Sequence, residues 1–182
     1  MTTGKQFKNE GIAAFQQKSW LVAVQKFEQA HTSFKEEGNE AEQAEMLNNL
    51  GVLYKMQGSY RESFESLNSA IVLFEKLSSL KEEGQAYGNL GDLHAAQKKW
   101  KDAVNAYLKS SIKLEDANAF AEQSQVLRAL SLTHLRQGQW IESMRRMEQS
   151  LTVKPRVGLG DWIFRAMMRF AMGLLGLSRV GV

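Results

Sequence analysis

Slid against itself by forty residues, this chain stays in register across four copies with no gap. Asn49-Leu50-Gly51 returns as Asn89-Leu90-Gly91, and the same columns hold Asn9-Glu10-Gly11 and Ala129-Leu130-Ser131. Bulky columns keep step: Phe7, Leu47, Tyr87, Leu127; Trp20, Tyr60, Trp100, Trp140; Phe27, Leu67, Tyr107, Met147. Small columns keep step between them: Ala23, Ser63, Ala103, Ser143 and Ala30, Ala70, Ser110, Ser150. A fixed period of this size marks stacked supersecondary units, none of which can bury its apolar face alone.

Each unit reads as two helices. Phe7, Gly11, Ala14 and Phe15 fall at helical spacing after Thr3-x-x-Gln6, a capping-box pattern. A second helix starts at Trp20 with Ser19 as the expected N-cap, and Gly38-Asn39 ends it and caps the next. Unit two turns at Gly58, with Ser59-x-x-Glu62 as a further capping box. Unit three turns at Lys98-Lys99 and unit four at Gly138, and Pro155 stops the array. The units span about 3–38, 39–78, 79–117 and 118–155, making 1–155 the repeat domain and 156–182 a hinge and tail. A single Pro in 182 residues fits long, unbroken helices. The chain has no Cys, hence neither disulfides nor thiolate chemistry. Met1 to Glu10 is polar with no signal-peptide core behind it, so the expected location is cytoplasmic, with peripheral membrane association through the tail.

The pattern resembles the tetratricopeptide repeat family, whose motif asks for a large apolar residue, Leu-Gly, an aromatic, Ala, an aromatic and Ala. The usual repeat is shorter and ends in Pro. This chain has Pro only after unit four, and it resembles the long-repeat subclass seen in kinesin light chains and spindle-orientation adaptors. The resemblance implies an all-α, right-handed solenoid of four helix pairs, here followed by a C-terminal amphipathic helix. It also implies that the first helix of each unit lines a concave groove. Gly11, Gly51, Gly91 and Ser131 would let the two helices of a unit approach, with Ala23, Ser63, Ala103 and Ser143 meeting them.

Asn9, Asn49 and Asn89 share one inner column. An amide carries both donor and acceptor, so a ladder of amides can bond the backbone of an extended peptide without reading its side chains. In the resembling families this Asn has that role; alternatively, it bridges helices within the stack. Ala129 breaks the ladder. Around it, Lys8, Asn48, Gly88 and Arg128, and Ile12, Val52, Asp92 and Leu132, are expected to tune specificity. Gly88 leaves room for close backbone approach. A dicarboxylate clamp for a chaperone tail does not fit: Lys8 and Asn49 match it, but Ile12, Gln85 and Asn89 do not. The expected partner is a protein or peptide segment of mixed polarity.

No nucleophile, base and orienting group come together in the sequence, and no phosphate-binding Gly loop is present, so the chain reads as non-catalytic and without cofactor. His94 and His134 occupy the column of Tyr54 and read as packing rings; no third ligand stands in register for a metal. Lys98-Lys99-Lys101 and Arg145-Arg146 lack the interleaved aromatics of a nucleic-acid surface.

The tail is separate in charge. Ile141 to Val182 holds seven basic and three acidic residues, net +4, while the preceding body is near neutral with sixteen basic and seventeen acidic. On a helical wheel Asp161, Arg165, Arg169, Met172, Gly176 and Arg179 form one narrow sector. Trp162, Ile163, Phe164, Met167, Met168, Phe170, Leu174, Leu175 and Leu177 cover most of the rest. Charges within so short a stretch argue against crossing a bilayer. The sector suits a helix lying in the interface of an anionic membrane, with Arg at the headgroups and Trp162 at the boundary. Lys154, Arg156 and Arg179 add about 1 kcal/mol each near such a surface. The inserting residues would be Trp162, Phe164, Arg165, Met168, Arg169, Phe170, Leu174 and Leu175. The alternative is a cap on the last repeat, or a homo-oligomer in which the helix docks into a neighbouring copy. Val157 to Gly160 is the expected hinge.

Overall fold

The computed structural model describes residues 3–154 and 158–174. Among them the order is α1 Gly4–Gln16, α2 Trp20–Glu36, α3 Glu40–Gln57, α4 Tyr60–Lys76, α5 Leu80–Ala96, α6 Trp100–Asp116, α7 Phe120–Arg136, α8 Trp140–Val153 and α9 Leu159–Leu174. Pro155, Arg156 and Val157 of the expected stop and hinge lie outside the described residues, as do Leu175, Leu177 and Arg179 of the tail.

Seven of the eight junctions share one geometry. Lys18, Gly38, Gly58, Ser78, Lys98, Asn118 and Gly138 recur every twenty residues, all with φ between 54° and 81°. At each, the next residue's N–H reaches five residues back, as Ser19 to Ala14 O (2.9 Å) and Lys99 to His94 O (2.9 Å). The left-handed residue's own N–H reaches three back, as Lys98 to Ala95 O (3.0 Å). This double closure satisfies the last carbonyls of the helix, with a left-handed residue as its pivot. The true beat of the chain is therefore twenty residues, hidden because four of the seven pivots are not glycine.

That geometry corrects two of the expected caps. Thr3 at ψ 160° accepts from Gln6 N (3.4 Å), and Asn39 accepts from Glu42 N (3.3 Å). Ser19 and Ser59 sit at the N-cap position but make no side-chain cap bond. Held at ψ 68° and 66° by the preceding closure, their short hydroxyls do not reach, whereas the longer Asn39 side chain does at ψ 80°.

Within a unit the two helices interlock at two notches. A Cβ placed on Gly11, Gly51 or Gly91 would come within 2.7, 2.5 and 2.5 Å of Phe27, Leu67 and Tyr107. The small column on the second helix was expected to meet these residues; Ser63 does so, its carbonyl oxygen 3.3 Å from the Cβ position of Gly51, and the bulky column four residues further on fills the space. Small residues still contribute hydrogen bonds: the Ser63 hydroxyl donates to Gly51 O (2.7 Å), and that of Ser131 to Ser143 O (2.7 Å). Seven residues before each notch stands a second one, Gly4, Ala44, Gly84 and Ser124. A Cβ on Gly4 or Gly84 would strike Phe34 (2.8 Å) or Leu114 (2.7 Å). The interiors form around these contacts, with Phe27, Phe34, Met46 and Leu53 in one cluster and Leu67, Phe74, Leu90 and Leu93 in the next.

Odd-numbered helices also meet across units, α3 with α5 and α5 with α7, with no comparable contact between even-numbered helices among the described residues. This closer approach places α3, α5 and α7 on the inner side of an all-α solenoid, and α1 joins them through the bonds of Lys8 to Glu42 and Glu45.

Two substitutions test these points. Lys98→Gly relieves a left-handed residue at φ 59°; about 1 kcal/mol of gain, or a Tm rise of about 2–4 °C by circular dichroism, is expected. Gly91→Ala forces a methyl into Tyr107 and is expected to cost about 1–3 kcal/mol in urea unfolding; an unchanged midpoint would contradict the notch.

Candidate functional site

The inner face is built by α1, α3, α5 and α7 and runs through three connected kinds of surface. Between units one and two lies a cavity of about 210 Å³ lined by Ile12, Phe15, Phe27, Asn48, Asn49, Val52 and Asn89. Its wall is apolar, and Ile12 and Phe15 are each 37% exposed. Its polar groups are amides. Towards unit four a wider space of about 440 Å³ is bordered by Asn48, Gln85, Gly88, Asn89, Asp92, Glu122 and Gln125. A third, of about 450 Å³, is bordered by Lys55, Asp92, Leu132, Thr133 and Arg136.

The structure sorts the expected inner residues by what already holds them. Asn89 Nδ2 donates to Asn48 Oδ1 (2.9 Å), tying α5 to α3. The helix-bridging role weighed for the Asn column is therefore real for Asn89, and its partner comes from the neighbouring column. Asn49 lines the cavity beside them, and Asn9 is exposed at the end of the row. Lys8 is committed to Glu42 and Glu45, both at 2.7 Å. Burial alone would lower its pKa, but the bonds to the two carboxylates outweigh that and raise it. Asp92 is held from two sides, by Lys55 (3.2 Å) and by the Tyr107 hydroxyl (2.6 Å). Burial, then the Asp92 charge, drives the Tyr107 phenol pKa upward. Val52 and Gly88 border the groove. Arg128 is exposed on α7, close enough to Asp161 of α9 for its charge to favour that carboxylate's ionised form. The ladder reduces to a compact amide cluster of Asn48, Asn49 and Asn89. Sequence spacing could not reveal the Asn48–Asn89 bond, because it joins two different columns.

The histidines take separate partners. His94 meets Phe64 edge-on (6.0 Å, 61°), and His134 Nδ1 lies 2.6 Å from Gln139 Oε1. No group of three His, Cys, Asp or Glu side chains suited to a metal occurs among the described residues.

The tail helix lies against α8 with its polar sector inward, an orientation that the helical wheel alone leaves open. Lys154 bonds Asp161, whose carboxyl that ammonium and the Gly158 N–H hold below the usual carboxylate range. Arg169 bonds Glu148 at 2.7 Å. Met168 is buried where α9 meets α8. An ion pair from Arg169 and the burial of Met168 on the same sector thus set the rotation of the helix against the repeat body. Arg165 is half-buried, and Trp162, Ile163, Phe164, Met167 and Phe170 are 45–70% exposed on the outer side. Of Leu174 only the helical backbone is described, and Leu175 lies outside the described residues. No helix among the described residues is long and apolar enough to cross a membrane.

Burial lowers the pKa of His31 and His94; at His94, Asp102 opposes this and Lys99 adds to it. The folded state therefore binds fewer protons than the unfolded one, so stability is lost as pH falls through the ordinary His range near 6.5. The Tm is expected to drop between about pH 7 and 5.5, and less so in His94→Phe; a flat Tm over that window would contradict this assignment.

Residues 42–111 match the tetratricopeptide repeat family. Among solved structures, BtubC (BKLC) from P. vanneervenii superimposes over 82% of this chain with a TM-score of 0.75 at 16% identity. This chain spans 62% of that structure's length, and at that identity the likeness concerns the fold. A tetratricopeptide repeat protein from Parabacteroides merdae ATCC 43184 aligns over 96% of this chain and 89% of its own at 13% identity. Its TM-score of 0.33 is too low to inform the architecture. No curated protein matches the chain in sequence.

Proposed function

Since residues 42–111 match the tetratricopeptide repeat family, we propose that the chain is a non-catalytic scaffold holding an extended segment of a partner protein along its concave face. Repeats of this kind serve generally as protein-binding scaffolds. The observation that carries the reading is the cavity between units one and two, where an apolar wall meets three amides. Asn49 offers a donor and an acceptor to a peptide backbone, and Ile12, Phe15 and Val52 receive an apolar side chain. Asn48 and Asn89 hold each other in place, so their remaining donor and acceptor are oriented before the ligand arrives. The charged groups nearby are already paired, which favours a segment of mixed polarity.

The tail gives the scaffold an attachment face. The sequence allows a membrane surface or a larger assembly. With Arg169 bonded to Glu148 and five large apolar side chains exposed on the outer side, the arrangement supports protein contact more than capture of headgroups.

On an array of random-sequence peptides, Asn49→Ala is expected to weaken the bound set about five- to tenfold, the loss of one or two backbone hydrogen bonds. Asn9→Ala, at the exposed end of the row, is expected to change little. Undiminished binding by the Asn49 variant would remove the cavity's role.

A further inference from the structure

Three glycines stand in α5 between Gly84 and Gly91, and only two of them answer to packing. A Cβ on Gly84 or Gly91 would come within 2.7 or 2.5 Å of Leu114 or Tyr107. A Cβ on Gly88 would stand 3.2 Å from Ser110 Oγ and 3.5 Å from Val126, a tight fit rather than a collision. Yet Gly88 costs the helix as much as the other two. Its column holds Lys8, Asn48 and Arg128 in the other units, and the next column, Asn9, Asn49 and Asn89, breaks at Ala129. Both gaps open on one space. Gly88 and Ala129 border the cavity of about 440 Å³ between α5 and α7, where longer side chains would take up room.

The lining of that cavity is rich in acceptors. Asn48, Gln85, Asn89 and Gln125 bring amides, Asp92 and Glu122 bring carboxylates, and no Lys or Arg is among the described residues that line it. Arg128 of the Gly88 column lies near Asp161 instead. Gln85 and Gln125 are exposed, so either can turn its carbonyl oxygen inward. Glu122 is held by Lys81 through Oε1 (2.7 Å), which leaves Oε2. The Lys81 ammonium also keeps the Glu122 carboxyl below its usual range, so it is charged at neutral pH. Asp92 has one partner on each oxygen, Tyr107 and Lys55, and each oxygen keeps a second lone pair. The Asn48–Asn89 bond divides this cavity from the apolar one, since both residues line both. A segment crossing that bond passes from a site for an apolar side chain to a site for a donor.

From this we infer that the second cavity takes an arginine side chain of the bound segment. A guanidinium is a planar fork of donors with no acceptor, and it answers a ring of amide and carboxylate oxygens where a ligand carboxylate would add one more acceptor. A Lys brings fewer donors on a compact, strongly hydrated charge. With no side chain at 88 and no amide at 129, the aliphatic stem of the Arg can lie over Gly88 and Ala129 against Val126. The inference rests on the groove reading above and adds to it one residue of the partner.

The test is an array of short peptides, each with one fixed Leu in a Ser-Ala background and with Arg, Lys, citrulline, Glu or Ala at every other position in turn, probed with the full chain. At one spacing from the Leu, Arg is expected to bind about tenfold tighter than Glu and than citrulline, its neutral isostere. Glu122→Gln removes a charge at constant shape and is expected to cut that preference to about twofold or less. Gly88→Leu fills the cavity and is expected to abolish it. Both variants should keep the preference for Leu and the helical signal by circular dichroism. Asn49→Ala is expected to weaken all Leu peptides while keeping the ratio of Arg to citrulline. Selectivity for Leu with none for Arg over citrulline would overturn this inference and leave the groove reading standing. So would a preference for Glu or Lys over Arg, or an Arg preference untouched by both Glu122→Gln and Gly88→Leu. An array without selectivity for Leu removes the groove reading and this inference with it.

Discussion

The close approach of the two helices within each unit is the contact on which the remaining structure depends. At Gly11, Gly51 and Gly91 there is no room for even a methyl group, since Phe27, Leu67 and Tyr107 already stand where it would go. The second notch, at Gly4, Ala44, Gly84 and Ser124, lies two turns away on the same face. Two fixed points per pair set both the distance between the helices and their crossing angle. With each pair rigid, the next can only stack on it in one way. The separate interiors centred on Phe34 and Phe74 therefore repeat the same arrangement with different side chains. The cost is carried by the helices: three glycines in α5 lower its intrinsic helicity by roughly 1 kcal/mol each. For Gly84 and Gly91 that loss is the condition of contact with Leu114 and Tyr107.

Much of this was legible because the period acts on several columns together. The helix pairs and their boundaries to within a few residues follow from spacing, and the inner placement of the first helix in each pair is what the family resemblance implies. Turn chemistry was less legible. Glycine announces a left-handed pivot, but Lys18, Ser78, Lys98 and Asn118 adopt the same backbone without announcing it. Those positions are imposed by the stack, which overrides local preference. Ser19 and Ser59 show the converse: a residue type that favours capping is held at a ψ where its hydroxyl cannot cap. The second small column went unread because its members, Gly, Ala, Gly and Ser, do not stand out from other polar and small residues near the helix starts.

The candidate site was legible in type and not in wiring. That amides would line the inner face follows from their register. Which amide bonds which depends on the offset between neighbouring helices, and the Asn48–Asn89 bond arises from that offset. The same holds for charges. Lys8, Lys55 and Asp92 look free in the sequence and are spent within the stack. For the tail, a helical wheel gives two faces but not which one meets the body. Glu148 decides it by drawing Arg169 inward, a partner lying 21 residues away in the chain.

The pivots at 38, 78 and 118 have one backbone conformation, and each is followed by a helix that starts two residues later. A forty-residue segment removed or added between two such pivots rejoins ends that already point along the same path. The trough can therefore grow or shrink by whole units without any new loop having to be invented, and the stretch of partner it spans changes in equal steps.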